Sequence, residues 1–162
     1  MEILQRYDSL FQFYAEWNRR DTTGERFEFL RRPRPLDWGL LKRQAVAESG
    51  LDPDAVSRVG AQGLTQFMPA TWAEHARQEL GEAVPMAGGR RHLNPFDPED
   101  AISAQSDMMA WLLDRYTGDQ RKALAAYNWG LGNVDKSLRA HGEAWDVKLP
   151  VETKGYLVSI LV

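Results

Sequence analysis

The chain has 162 residues and a formal net charge of −3, which is room for one domain with a sizeable core and gives no electrostatic reason to expect nucleic acid as a partner. Hydrophobic residues make up 43% and charged residues 27%, values of a soluble globular protein rather than a disordered or membrane one. Cysteine is absent, which excludes thiol nucleophiles, thiolate metal sites and disulfides together.

The N-terminus, Met1-Glu2-Ile3-Leu4-Gln5-Arg6, lacks both the basic start with an apolar run and the cleavage site of a secretory signal. No apolar stretch approaches the roughly 20 residues that span a bilayer. Ile3, Leu4, Tyr7, Leu10, Phe11, Tyr14 and Trp17 recur at helical spacing and predict a core-packing helix to about Asn18. Glu2, Asp8 and Glu16 argue against a membrane-surface helix there. A polar connection from Arg19 to Pro35 follows, and its last residues, Arg31-Arg32-Pro33-Arg34-Pro35, exclude helix. Its arginines read as a solvated collar that could also attract an anionic polymer. Residues 1–35 are therefore expected to be an N-terminal helix and basic linker packed on a domain that fills 36–162.

A second helix is expected from Leu36, with Pro35 before it and Gly50 as its stop. Trp38, Leu41, Ala45 and Glu48 share one face at about 100° per residue, so Glu48 extends an apolar stripe. Leu51-Asp52-Pro53-Asp54 is turn-like, and Gly60 and Gly63 bracket a segment of loose backbone. Pro69 opens a short helix through Leu80, and Gly81 to Leu93, with Pro85, Gly88 and Gly89, reads as a mobile loop. The next helix starts at Asp97-Pro98-Glu99, with Asp97 as cap and Pro98 in the first turn. Ile102, Met109, Leu112, Leu113 and Tyr116 give it an inward face up to Gly118. Further helices are expected at about Asp119 to Trp129, Val134 to Ala140 and from Val151. No repeat or alternating strand pair occurs, so the fold class is mainly α.

A glutamic acid that protonates a glycosidic oxygen must itself be protonated near neutral pH, so its pKa has to rise by about two units. Burial at the end of the stripe and the negative end of the helix macrodipole both push Glu48 that way. Gly63-Leu64-Thr65-Gln66-Phe67-Met68-Pro69 adds the surroundings an amide-bearing sugar needs. Glycine permits close approach of a ligand, Gln66 offers donor and acceptor, and Phe67 and Met68 add apolar surface. Tyr127 could orient a carboxyl group and Asn128 could bond a sugar amide; alone, Tyr127 reads as a core tyrosine. His75, His92 and His141 match no metal spacing, and neither a phosphate loop nor a nucleophile elbow is present. No metal or organic cofactor is expected.

Five segments in chain order resemble a known family. They are Glu48-Ser49, Gly63 to Pro69, Asn94-Pro95-Phe96-Asp97-Pro98, Ala126-Tyr127-Asn128, and Leu149-Pro150-Val151-Glu152-Thr153-Lys154-Gly155-Tyr156. Together they resemble the soluble-type lytic transglycosylases, whose catalytic domain is similar to goose-type lysozyme. The resemblance implies a single lysozyme-like helical domain with a substrate groove. It also implies cleavage of peptidoglycan between N-acetylmuramic acid and N-acetylglucosamine with 1,6-anhydro ends, and Glu48 as sole catalytic acid and base. By the same resemblance Ser49 orients Glu48 or touches sugar, and Gln66 with the main chain around Phe67 and Met68 holds an N-acetyl group. Tyr127 hydrogen-bonds Glu48, Asn128 supports the pocket, and Glu152 and Tyr156 line the groove.

Thr65 departs from the methionine frequent in the family and would make the pocket wall more polar. Gln105 and Met108 replace a frequent glycine and tyrosine, which puts that groove wall and one contact to Glu48 in question. The runner-up is a goose-type muramidase using water, with Asp97 or Asp52 as positioning carboxylate. An inactive glycan-binding or virion structural module is the reading from a different class. With wall-acting motifs and no signal sequence, the chain reads as a phage or phage-derived monomer that acts on the cell wall. A bacterial periplasmic enzyme or an excised domain is the alternative.

Overall fold

The computed structural model describes residues 5–20, 36–80 and 93–161. Among them run seven α-helices and one 3-10 helix: α1 Asp8–Arg20, α2 Trp38–Ser49, α3 Pro69–Leu80, α4 Pro98–Arg115, α5 Gln120–Trp129, α6 Leu131–His141, the 3-10 turn Gly142–Lys148, and α7 Val151–Leu161. No strand forms among the described residues, and the pairing of extended backbone is limited to two isolated bridges, Val56 with Gln62 and Gln62 with Phe67. Of the connection expected from Arg19 to Pro35, Arg19 and Arg20 instead end α1 and residues 21–35 lie outside the described residues, as does the Gly81 to Leu93 loop, His92 included, except Leu93.

Helix boundaries follow local chemistry. Asp37, Asp97 and Asp119 each sit in extended backbone and accept an N–H from the first turn of α2, α4 and α5, a cap worth about 1 kcal/mol apiece. Pro98 occupies the first turn of α4, where its missing N–H costs nothing. The second helix starts at Trp38 rather than Leu36, because Asp37 is the cap. The first helix is interrupted where periodicity predicted continuity: Tyr7 takes φ 67°, and regular helix begins at Asp8. The Tyr7 carbonyl then accepts from the N–H groups of Leu10 and Phe11. Gly130, at φ 99°, separates α5 from α6, so the sixth helix starts earlier than Val134.

Helix α4 is the central post, with Ile102, Met109 and Leu112 almost wholly buried. It packs against α1 and α5, while α2 packs against α1 and α7, and α5 also meets α7. Leu41 of α2, Leu124 of α5 and Ile160 of α7 complete the centre, and burying each stabilises the fold by roughly 2 kcal/mol. Phe11 and Ala15 carry the inward face of α1, Asp8 pairs with Lys42 of α2, and the Tyr14 hydroxyl donates to Glu99 at 2.9 Å.

The connection from α2 to α3 is held at many points. The Gly63 N–H donates to the Ala55 carbonyl at 2.8 Å, and the buried Thr65 hydroxyl donates to Ala101 of α4 at 3.3 Å. Gly63 has φ 72°, and a Cβ there would lie 1.9 Å from the Pro95 carbonyl oxygen. The close approach that this glycine permits is to the protein's own chain.

Candidate active site

Helix α2 ends because Gly50 adopts φ 67°, donating its N–H to Val46, which leaves Glu48 on the last turn. Leu41 and Ala45 are fully buried, and the three-residue step from Ala45 turns Glu48 inward. Trp38, at the far end of the same stripe, stays exposed because the stripe leaves the core at the first turn of the helix. Glu48 opens on a cavity of about 620 Å³ whose walls include Ser57, Gln66, Tyr127, Glu152 and Tyr156.

Helix α7 brings the partner group. Thr153, Tyr156, Leu157 and Ile160 form its buried face at helical spacing, which carries the Tyr156 phenol to the Glu48 carboxyl. The Tyr156 hydroxyl donates to Glu48 Oε1 at 2.6 Å. One turn further on, Arg43 Nε of α2 donates to the Ile160 carbonyl at 2.8 Å, so the two helices are tied twice. Removal of water raises the Glu48 pKa from 4.5 to about 7; the Tyr156 hydrogen bond opposes this, and the charge of Glu152 adds to it. Near neutral pH the acid and its conjugate base are thus both populated.

Tyr127 of α5 donates to the Thr65 carbonyl at 2.9 Å, so the phenol that reaches Glu48 is Tyr156 rather than Tyr127. Tyr127 is still close enough for the Glu48 charge to help burial push its own pKa well above 10. Asn128 Oδ1 accepts from the Thr153 hydroxyl at 2.9 Å, joining α5 to α7 at the cavity edge. The Ser49 hydroxyl donates to the Leu64 carbonyl at 2.8 Å and accepts from the Asp52 N–H at 3.2 Å. Its role here is to fasten the loop to the end of α2.

Gln66 has φ 54° and its amide Nε2 donates to the Gly63 and Ala55 carbonyls at 2.8 and 3.2 Å. The donor expected to hold sugar is therefore engaged within the loop, while the side chain still lines the cavity. Phe67 is buried against Trp72 and Tyr127, and Met68 is exposed at the cavity rim. Thr65 is fully buried and braces α4, so it contributes no polar wall. Gln105 is likewise buried in the core, away from any groove wall, and its Nε2 donates to the Leu41 carbonyl and to Gln44 Oε1, both at 2.9 Å.

The groove continues past Glu48. A cavity of about 380 Å³ shares Gln66, Met68, Tyr127 and Asn128 with the first, and one of about 310 Å³ beyond it is lined by Phe67, Thr71, Met108 and Trp111. Met108 thus belongs to the groove and Gln105 does not. Among the residues that line the Glu48 cavity, sequence reading assigned no role to Ser57, Gly155 and Ser159. The last two had a signal, since Glu152, Gly155, Tyr156 and Ser159 repeat at helical spacing on α7.

Asp97 spends its carboxylate on the α4 cap, and Asp52 accepts from the Asp54 N–H at 3.0 Å; neither lines the Glu48 cavity. Glu152 is the other carboxylate there. His75 stacks on Phe67, His141 is exposed, and no cluster of His, Asp and Glu among the described residues is placed to hold a metal ion.

The chain is 30% identical over 156 residues to the peptidoglycan transglycosylase gp16 of Escherichia phage T7, covering 96% of this chain and 10% of that protein. It is 36% identical over 126 residues to the membrane-bound lytic murein transglycosylase F of Pasteurella multocida, covering 70% of this chain and 23% of the relative. In fold it is similar to the lytic transglycosylase Slt of Pseudomonas aeruginosa, solved as an inactive mutant, with TM-score 0.72 at 23% identity over 97% of this chain and 23% of the other. The 70 kDa soluble lytic transglycosylase of Escherichia coli gives TM-score 0.70 at 24% identity, with the same coverage. The chain therefore spans between a tenth and a quarter of the length of these relatives. The family model described as the transglycosylase SLT domain matches residues 31–149, a stretch that contains Glu48, the Gly63 to Pro69 loop and Tyr127, and by that match the chain belongs to the transglycosylase SLT family.

Proposed function

We infer that this domain cleaves peptidoglycan strands between N-acetylmuramic acid and N-acetylglucosamine without water, leaving 1,6-anhydromuramoyl ends. The observation that carries this is a single partly buried glutamic acid, poised near pH 7 and held by a phenol, in a groove made of adjoining cavities. Glu48 donates its proton to the bridging oxygen as the bond to the anomeric carbon breaks. The resulting carboxylate takes the proton of the muramoyl 6-hydroxyl, whose oxygen closes on the same carbon. Tyr156 supports the carboxylate between the two steps, because its hydrogen bond is stronger to the charged form. Gln66, Met68, Tyr127, Asn128 and Glu152 line the glycan path; Ser49 and Phe67 act by holding the loop.

Glu152 favours one second reading, a muramidase, since it is a further carboxylate in the same cavity and could activate water. Mass spectrometry of digested sacculi separates the two: anhydro ends are expected, and reducing-end muramic acid would make the domain a hydrolase. Glu48→Gln is expected to keep the fold and lose turnover; full activity in that variant would sink both readings. Identity with the phage T7 relative supports a phage or phage-derived enzyme of the bacterial wall. All the groups invoked come from one copy of the chain, so a monomer is part of the proposal.

A further inference from the structure

The cavity of about 380 Å³ next to that of Glu48 carries two indoles that the chemistry just described does not use. Helix α4 supplies Trp111 to its wall, and the corner between α5 and α6 supplies Trp129 and Leu131. Both tryptophans pack against the core without being buried by it, so part of each indole is left to the cavity. An indole is among the largest apolar surfaces a side chain can bury, and leaving two of them open to one hollow forgoes that stabilisation.

The backbone behind the indoles is fixed. Gly130, at φ 99°, turns the chain straight after Trp129 and donates its N–H to the Ala126 carbonyl at 3.0 Å, while Asn133 Nδ2 donates to the Trp129 carbonyl at 2.7 Å. On α4 the Arg115 guanidinium lies 5.9 Å from the centre of the Trp111 ring, and Asp135 of α6 pairs with Arg115. Polar groups stand where this cavity joins that of Glu48. Asn128 gives Oδ1 to Thr153, which leaves its Nδ2 as a donor. Gln66 spends Nε2 on carbonyls of its own loop, which leaves Oε1 as an acceptor.

A pyranose ring has C–H groups on its faces and hydroxyl or amide groups around its edge. Aromatic walls with a donor and an acceptor at the rim match both. A purely apolar ligand would have no use for the amides, and a charged one meets no charged side chain among the described residues that line this cavity.

We propose that Trp111 and Trp129 form a stacking subsite for a sugar ring beyond the cleaved bond, by which the domain selects long glycan strands over short ones. The proposal rests on the reading of the groove as the glycan path. Gln66, Met68, Tyr127 and Asn128 border both cavities, so one strand can lie in the two at once. A strand too short to reach the indoles meets the same acid but loses the stacking.

The test is cleavage of purified peptidoglycan glycan chains of two lengths, a tetrasaccharide and an octasaccharide, by the parent and by Trp129→Leu and Trp111→Leu. Leucine keeps the helix and much of the apolar bulk and removes the flat face. The parent is expected to favour the octasaccharide. Each substitution should lower kcat/KM on the octasaccharide about tenfold, mostly through KM, and on the tetrasaccharide by no more than about twofold. Trp129→Phe, which keeps a smaller ring, should lose about threefold on the octasaccharide alone, and it decides the matter if thermal unfolding shows the leucine variants to be unstable. Calorimetry in the Glu48→Gln background reads the same length-dependent loss as affinity, without turnover. Equal losses on both lengths would show a merely structural role and overturn the proposal. A parent indifferent to length, or variants with parental kcat/KM on the octasaccharide, would overturn it as well. None of these outcomes touches Glu48, whose chemistry is judged by whether the products carry anhydro ends.

Discussion

The two ends of the groove are built from different materials. Around Glu48 the walls are polar and tied down, with Tyr156 on the carboxyl, Asn128 bonded to Thr153 and Arg43 on the α7 backbone. Beyond Phe67 the wall on α3 and α4 is mainly apolar surface around Met108 and Trp111, with Glu74, Gln78 and Asp107 among its lining, and Glu74 accepts from its own helix neighbours Arg77 and Gln78. Moving a proton demands an atom placed within a few tenths of an ångström, whereas accepting the apolar faces of sugar rings demands area. The contrast implies that substitutions at one end change turnover and at the other change affinity.

The largest effect should come from the acid itself. Glu48→Gln is expected to lower turnover by about 10³-fold, read as release of anhydromuramoyl ends from sacculi. The same variant should gain stability in a definite pH window. Because the folded pKa is raised from 4.5 to about 7, the carboxyl costs nothing below that interval and costs the full amount above it, at most about 3 kcal/mol. The thermal midpoint of Glu48→Gln should therefore exceed that of the parent at pH 8 and equal it at pH 4; a gain at pH 4 as well would contradict this origin.

Next in size is Gly63→Ala, which strains a φ of 72° and drives a methyl group into the Pro95 carbonyl. A loss of about 2–4 kcal/mol in denaturant titration is expected, and since this loop borders both ends of the groove, turnover and affinity should fall together. Tyr156→Phe removes one bond to the carboxylate; about a tenfold drop in turnover with an alkaline limb moved upward is expected from pH–rate profiles. Met68→Ala, at the exposed junction of the two ends, should raise KM two- to threefold, by the order of a small loss of apolar contact, and leave turnover alone. A turnover defect there would erase the distinction between the ends.

Local signals carried much of the fold. Asp97 followed by Pro98 announces α4, Gly50 announces the end of α2, and the Leu41, Ala45, Glu48 spacing places the acid on the inner face. Asp37 escaped notice because Pro35 is the stronger punctuation, and the left-handed Tyr7 carries no glycine to betray it. Contacts that close the site were less legible, because they join distant parts of the chain. Tyr156 meets Glu48 across 108 residues, and Gln105 meets Gln44 across 61. A glutamine that completes a buried pair looks, in one sequence, the same as one that lines a groove. Gln66 was misjudged for a related reason: its amide bonds to carbonyls within its own loop, which only the left-handed turn at that residue brings into reach.

The double tie between α2 and α7 bears on where this unit can be trimmed. The segment matched by the family model closes at residue 149, just ahead of α7. Anyone cloning to that boundary would keep the acid and discard the helix that holds it. Glu48 would lose its phenol, Asn128 its threonine, Arg43 its carbonyl, and a strip of core ending at Ile160 would face water. The smallest working cassette therefore has to run past the homology edge, at least through Ile160.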